Sequence, residues 1–394
     1  MPGAASSRRL VARVVTKAVE EATGTPRKTG QSFFLISLLK GLAAQLIVLH
    51  HLAFYGPIAD HARELVPSII DWLGDHARIA VQVFLVIGGF LAAKSLAPDG
   101  RPGPGNPLHS IWRRYLKLAP PFVVAMLLAV AASGWAAGRM AHDSIPPPPT
   151  ALQLGAHALL LHDVLGFDAL SAGAWYVAID FQLYACMTLL AWLAGQPAAA
   201  RTPGWLLPGL VVAGAGASLL HFNLDADWDV WAPYFFGSYG LGALAWWAGD
   251  PRRRPGAVAL LLAAMLLLPL LGLVLDFRSR IALALAVACM LFLCGRVRPV
   301  SAAGGTLAVV DYAGKISFSV FLVHFPVCLV VNAAFMRFVP EQPQLQAFGM
   351  LLAWAASLLA GAAFFRWVET PLGNAFARAG KGVGARVLAA RATP

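Results

Sequence analysis

Lys40 and His51 stand eleven residues apart inside an apolar run from Phe33 to Tyr55. That run is long enough to cross a bilayer as a helix. Eleven residues at about 100° each return to within about 20° of the start, so the two share one helix face, about 16 Å apart along the axis. His50 points about 100° away. A cation and an imidazole are costly inside a membrane, and by default they mark a functional site. The plainer alternative is that Lys40 reaches to the headgroups and His51 sits at the opposite interface, both merely tolerated. Spacing alone favours neither.

Three further patches carry groups that could do chemistry. Arg113, Arg114 and Lys117 stand at i, i+1 and i+4 beside Trp112 and Tyr115. Such a group can hold the phosphates of a cytosolic ligand, or serve as an ordinary membrane anchor. Asp180 falls inside the apolar stretch from Trp175 to Tyr184, together with Gln182. A carboxylate there needs a partner, and at the expected depth of His51 it would orient the imidazole of a general base. A hydrogen bond between helices is the structural alternative. His324 lies in the middle of another apolar stretch, two residues before Pro326. Proline would kink a helix there, and a lone buried histidine is more often a packing donor than a catalyst. No Ser/His/Asp chain order, glycine-rich phosphate loop or metal-ligand spacing competes with these patches.

The elements that must position them are membrane helices. Of the 394 residues, 59% are hydrophobic and 12% charged, against about 25% charged in an average soluble domain. The fold class expected is all-α, a polytopic transmembrane bundle, with none of the alternating pattern of a barrel. The net charge of +11 is no nucleic-acid signal, because the basic residues cluster between the spans, as they do in cytoplasmic loops. Cys186, Cys289, Cys294 and Cys328 all fall in apolar segments, so neither a disulfide framework nor a metal site is expected. Residues 1–31 are polar and basic, and no cleavable signal peptide is expected.

Loop charge sets the orientation. The basic load of residues 1–31 places that segment in the cytoplasm, and span one runs outward to an acidic loop, residues 56–78. Span two, about residues 79–96, returns to a basic loop that holds Lys94, Arg101, Arg113, Arg114 and Lys117. Span three covers about residues 118–135. The short piece 151–165 is interrupted by His157, His162 and Asp163. Counting back from the basic cluster 252–254, that piece cannot cross, so an interfacial or re-entrant helix is expected. Spans at about 174–194, 205–220, 231–248, 257–275, 281–294, 316–334 and 347–367 complete a set of ten. Both ends are then cytoplasmic. The expected organisation is a basic segment 1–31, a transmembrane domain 32–372 and a basic tail 373–394.

Taken together, the patches resemble the acyltransferase-3 family of integral-membrane acyltransferases. Its opening Arg-Gly helix that ends in His is matched by Lys40-Gly41 to His51. The V-D-L-F-F-V-x-S-G-F type segment is matched by Val81 to Phe90, R-R-x-x-R-x-x-P by Arg113 to Pro120, and W-x-L-x-x-E-x-Q-x-Y by Trp175 to Tyr184. I-S-Y-S-x-Y-L-x-H-x-P is matched by Ile316 to Pro326, and R-x-x-E-x-P by Arg366, Glu369 and Pro371. Each segment is weak alone, and six in order are strong. The chain departs from the pattern at Lys40, Gln82, Lys117 and Asp180. Charge is kept at three of these and lost at Gln82, and a lysine cannot form arginine's bidentate fork.

The resemblance implies transfer of an acyl group, often acetyl, from cytosolic acyl-CoA to a hydroxyl of a sugar, a lipid-linked sugar or another acceptor at the outer side of a cell's inner membrane. Acyl-CoA is then a co-substrate, and no bound cofactor is implied. Lys40, Arg113, Arg114 and Lys117 would bind the donor, and His51 with Asp180 would be catalytic. Trp175, Gln182, Tyr184 and His324 would support them. A transporter or lipid-binding protein is the competing class, although such proteins more often show an internal repeat and none is visible here. A catalytically degenerate relative is a further alternative.

Overall fold

A computed structural model describes residues 34–103, 105–196, 204–295, 305–376 and 378. The basic segment 1–31 and nearly all of the tail expected beyond 373 lie outside the described residues. The helices are α1 (Phe34–Phe54), α2 (Pro57–Arg63), α3 (Pro67–His76), α4 (Val81–Leu96), α5 (Pro107–Ala137), α6 (Ala151–Ala158) and α7 (Ala174–Ala194). They continue with α8 (Leu206–Leu220), α9 (Ala232–Ala248), α10 (Pro255–Leu275), α11 (Ser279–Cys294), α12 (Gly305–Phe338) and α13 (Pro343–Phe364). There is no strand among the described residues, as expected of an all-α membrane bundle.

Among the described residues, eight helical segments are long and apolar enough to cross a membrane. The other two in the expected set of ten are α9, with 17 residues, and α11, with 16. Both fall below the roughly 20 residues that a 30 Å core requires. Helix α9 is buried at every position except Pro233, so it is a central helix apolar on all sides. Helix α6 has 8 residues, about 12 Å of rise, far too short to span. The chain turns back just beyond it at Leu160, a buried residue with φ of 59°.

Close helix contact in lipid depends on small residues. A Cβ on Gly89 of α4 would lie 1.8 Å from the Tyr239 carbonyl oxygen, and one on Gly242 of α9 would lie 1.9 Å from that of Val86. The backbones of α4 and α9 therefore touch through the Gly-Gly of the second motif. Helices α1 and α12 meet in the same way, since a Cβ on Gly314 would lie 2.6 Å from the Cα of Ser37. Trp354 of α13 adds a bond to α1, its Nε1 donating to Gln45 Oε1 at 2.7 Å.

Helix α5 begins eleven residues before the start expected for span three. Asn106 caps it, accepting from the Leu108 N–H at 2.8 Å, and Pro107 occupies the first turn. Arg113, Arg114 and Lys117 are consequently on a helix rather than in a loop. Helix α12 runs unbroken through Pro326.

Candidate active site

Helix α1 carries Lys40 and His51 into two different cavities, as their shared face and separation along the axis predict. Lys40 lines a chamber of about 190 Å3 with Arg114, Lys117 and Lys315, and with the carboxylates Asp180 and Glu369. His51 lines a second cavity of about 470 Å3. Phe321 of α12 lines both. Its ring packs 5.2 Å from that of Tyr176 and 6.3 Å from that of Phe84, centroid to centroid. These rings form an aromatic wall between the Lys40 end and the His51 end.

In the Lys40 chamber, Arg114 Nη2 lies 2.5 Å from Asp180 Oδ2. The guanidinium carbon also sits 5.1 Å from the centroid of the Tyr184 ring. Arg114 is thus fixed by an ion pair and a cation–π contact, yet its buried Nε has no hydrogen-bond partner. Lys117 is three residues further on, so it shares the Arg114 face. Arg113 points about 100° away. It is exposed and does not line the chamber, which corrects its expected place beside the other two. Glu369 enters from a single π turn, Phe365–Glu369, and accepts a hydrogen bond from Ser319 Oγ at 2.5 Å. Sequence reasoning noted Glu369 only as part of a motif and did not place it among the site residues. Lys315 is held by Asp311 at 2.5 Å.

The expected pairing of Asp180 with His51 is not what the structure shows. Asp180 is the seventh residue of α7, about 9 Å in from its start, and lies beside Gly88, whose missing Cβ leaves room for the Tyr239 ring. At that depth the available cation is Arg114. A buried carboxylate is tolerable only with such a partner.

His51 pairs instead with His324. His51 Nδ1 lies 2.6 Å from His324 Nε2, and the rings are stacked at 4.8 Å. His324 Nδ1 lies 3.2 Å from the Val320 carbonyl. A carbonyl can only accept, so His324 carries its proton on Nδ1 and accepts at Nε2. His51 must then donate from Nδ1, which leaves the lone pair of its Nε2 free. The chain of two neutral rings thus fixes the tautomer of His51. His324 thereby links α12 to α1 through a side-chain hydrogen bond.

His50 is anchored separately, donating from Nδ1 to the Leu73 carbonyl at 3.0 Å. It nonetheless reaches the edge of the same cavity, so it is less remote from His51 than the 100° offset suggests. Trp175 lines the His51 cavity as well. Gln182 works at a distance from both rings. It donates to the Val230 carbonyl at 3.3 Å and accepts from the Ala232 N–H at 3.0 Å, tying the loop before α9 to α7. Gln82, the uncharged departure, is buried and accepts from Ser238 Oγ at 2.6 Å. The missing charge is replaced by a satisfied neutral hydrogen bond.

A helical bundle with membrane-length spans and ionisable groups sorted to opposite ends of one helix defines an integral-membrane protein with a polar site inside it. The profile of the acyltransferase-3 family, described as an acyltransferase domain, matches residues 35–366, most of the chain, and the chain belongs to that family. It is a multi-pass membrane acyltransferase. No curated protein and no solved structure matches the chain.

Proposed function

We propose that the protein is an O-acyltransferase of the cell's inner membrane. It takes an acyl group, acetyl in the simplest case, from cytosolic acyl-CoA and places it on a hydroxyl at the outer side. The acceptor is a carbohydrate, free or lipid-linked. The observation that carries this reading is the sorting of groups across the Phe321 wall. Cations gather at one end and a neutral imidazole with a free lone pair stands at the other.

In this reading the Lys40 end faces the cytosol. Lys40, Arg114 and Lys117 hold the donor's anionic groups, with the unpaired Arg114 Nε supplying a further donor. Arg113 contributes charge at the mouth. The pantetheine arm carries the thioester toward the aromatic wall. His51 Nε2 takes the proton of the acceptor hydroxyl as its oxygen attacks the thioester carbonyl. The tetrahedral intermediate collapses, the C–S bond breaks, and the thiolate leaves with the proton returned by the imidazolium. The products are the O-acyl ester and free CoA thiol. Asp180 serves by fixing Arg114.

The decisive experiment incubates the purified protein in lipid nanodiscs with radiolabelled acetyl-CoA and outer-surface carbohydrate extract. Label moved into an alkali-labile ester is the expected result. Acetyl-CoA that is neither bound nor turned over would refute the reading.

A further inference from the structure

A third cavity, about 600 Å3 in volume, opens at the His51 end of the bundle. Its size falls within the roughly 300–1,000 Å3 of small-molecule sites. Two of its lining residues, Arg78 and Trp175, also line the His51 cavity. The two spaces are therefore neighbours across a shared wall one residue deep.

The lining has an unusual mixture of groups. Trp175, Phe235 and Tyr234 form a connected aromatic surface, with ring centroids 5.6 Å and 4.8 Å apart along the series. Facing space with them are the carboxylates Asp75, Asp163 and Asp229. Asp163 Oδ2 is buried 3.4 Å from His162 Nε2 and has no hydrogen-bond partner among the described residues. Burial and the nearby Asp229 push the Asp163 carboxyl up to about 6.

The cations of this cavity are not equivalent. Arg278 is spent on the fold, donating to the carbonyls of Asn223 and Leu219 and to Asn223 Oδ1. Arg280 donates to the Asn223 carbonyl and stacks over Tyr234. The Arg78 side chain makes no ion pair or hydrogen bond among the described residues, its backbone carbonyl alone accepting from the Val81 N–H. The groups left for a ligand are thus flat apolar rings, acceptor carboxylates and one fork of donors.

Each simple ligand class conflicts with part of this lining. An acyl chain would desolvate three carboxylates for nothing. A small anion would meet those carboxylates, and a bare cation would meet Arg78. A pyranose ring satisfies all of it, because its C–H face lies on aromatic rings while its hydroxyls donate to carboxylates and accept from a guanidinium. Resting on the acyl-transfer reading above, we propose that this cavity is the acceptor site and holds a polyhydroxylated sugar ring. Its reacting hydroxyl projects past Trp175 and Arg78 toward His51 Nε2.

The test is saturation-transfer NMR on the protein in nanodiscs. The probes are the methyl glycosides of glucose, galactose, rhamnose and N-acetylglucosamine. At least one should show saturation of its ring protons. Val230→Trp fills the cavity, and Asp229→Asn removes one acceptor from an exposed position. Each should weaken that probe by about tenfold, the scale of one hydrogen bond to a charged group. Using two variants guards against one that misfolds. No saturation by any probe, or parent-like binding in both variants, overturns the proposal. Competition by the same ring on a polyprenyl phosphate supports the site with a lipid-linked source, and its absence supports the site with a soluble one. Radiolabelled acetyl-CoA turnover, measured alongside, keeps the two readings distinct. Ring binding without transfer removes the transfer chemistry and upholds the ring site, while transfer without ring binding removes the ring site alone.

Discussion

Replacing His324 with Phe interrogates the imidazole chain without touching the proposed base. Phe keeps an aromatic ring at a buried position, stacked beside His51, but removes the acceptor for His51 Nδ1–H. A buried donor left unpaired costs about 1–3 kcal/mol. That cost is relieved if the proton moves to Nε2, which then has no lone pair for the acceptor hydroxyl. The reactive tautomer should become rarer by about ten- to a hundredfold, and kcat should fall by that factor. KM for acetyl-CoA should hold, since residue 324 lies outside the cationic chamber. His324→Gln can offer an amide oxygen to the same N–H and should restore most of the rate. His51→Gln should lose about a hundred- to ten-thousandfold, the usual worth of a general base, while His50→Gln keeps most activity. Initial rates of label transfer and calorimetric acetyl-CoA affinity supply the readouts. A His324→Phe enzyme with parental kcat, or an active His51→Gln enzyme, refutes the mechanism. Equal losses in His324→Phe and His324→Gln would reduce His324 to packing.

Arg114→Ala leaves Asp180 buried and unpaired, which should destabilise by about 3–5 kcal/mol. The double variant Arg114→Ala/Asp180→Asn should recover the melting temperature, yet bind acetyl-CoA about ten- to a hundredfold more weakly. Calorimetry with parental affinity in the double variant would exclude Arg114 from donor binding. Just beyond α6, burial against Phe122 and His157 pushes His162 down to about 3 from its ordinary 6.5. At His162 itself the folded state then binds fewer protons than the unfolded state between about pH 3 and 6.5, so its contribution to stability is present above 6.5 and is lost as pH falls, while Asp163, 3.4 Å away and pushed up to about 6, acts in the opposite sense over part of that range. His162→Phe should flatten that acid slope, at most about 1.4 kcal/mol per pH unit. Identical pH–melting curves for variant and parent would discard this source of acid lability. For orientation, a cysteine at Ser68 should react with impermeant reagents from outside and one at Arg254 only from inside. The reverse pattern would invert the proposed direction of transfer.

Depth along each helix was legible in the sequence, and lateral neighbours were not. The apolar run around Lys40 and His51 gave both their shared helix and the two ends they occupy. The same reasoning put Asp180 against His51, because hydropathy counts residues from a membrane face and says nothing about which helix stands alongside. The Arg114 contact depends on α5 extending back to its Asn106 cap and packing beside α7. His324 had the right residue type in the right motif, but its value depends on α12 lying against α1. Glu369 was hidden for another reason. A π turn changes the angular position of a side chain, so a strict helical count from α13 does not bring it to the chamber.

The glycine contacts divide the molecule mechanically. Helices α1 and α12 touch backbone to backbone at Gly314, and they carry His51 and His324 respectively. Helices α4 and α9 are joined in the same way through Gly89 and Gly242, as a second rib. At these points only small residues separate the strips of backbone, Ser37 against Gly314 and Ala313 against Gly41. The 2.6 Å spacing of the two imidazoles therefore rests on the first rib, whereas Arg114 and Asp180 pair between α5 and α7, outside both ribs.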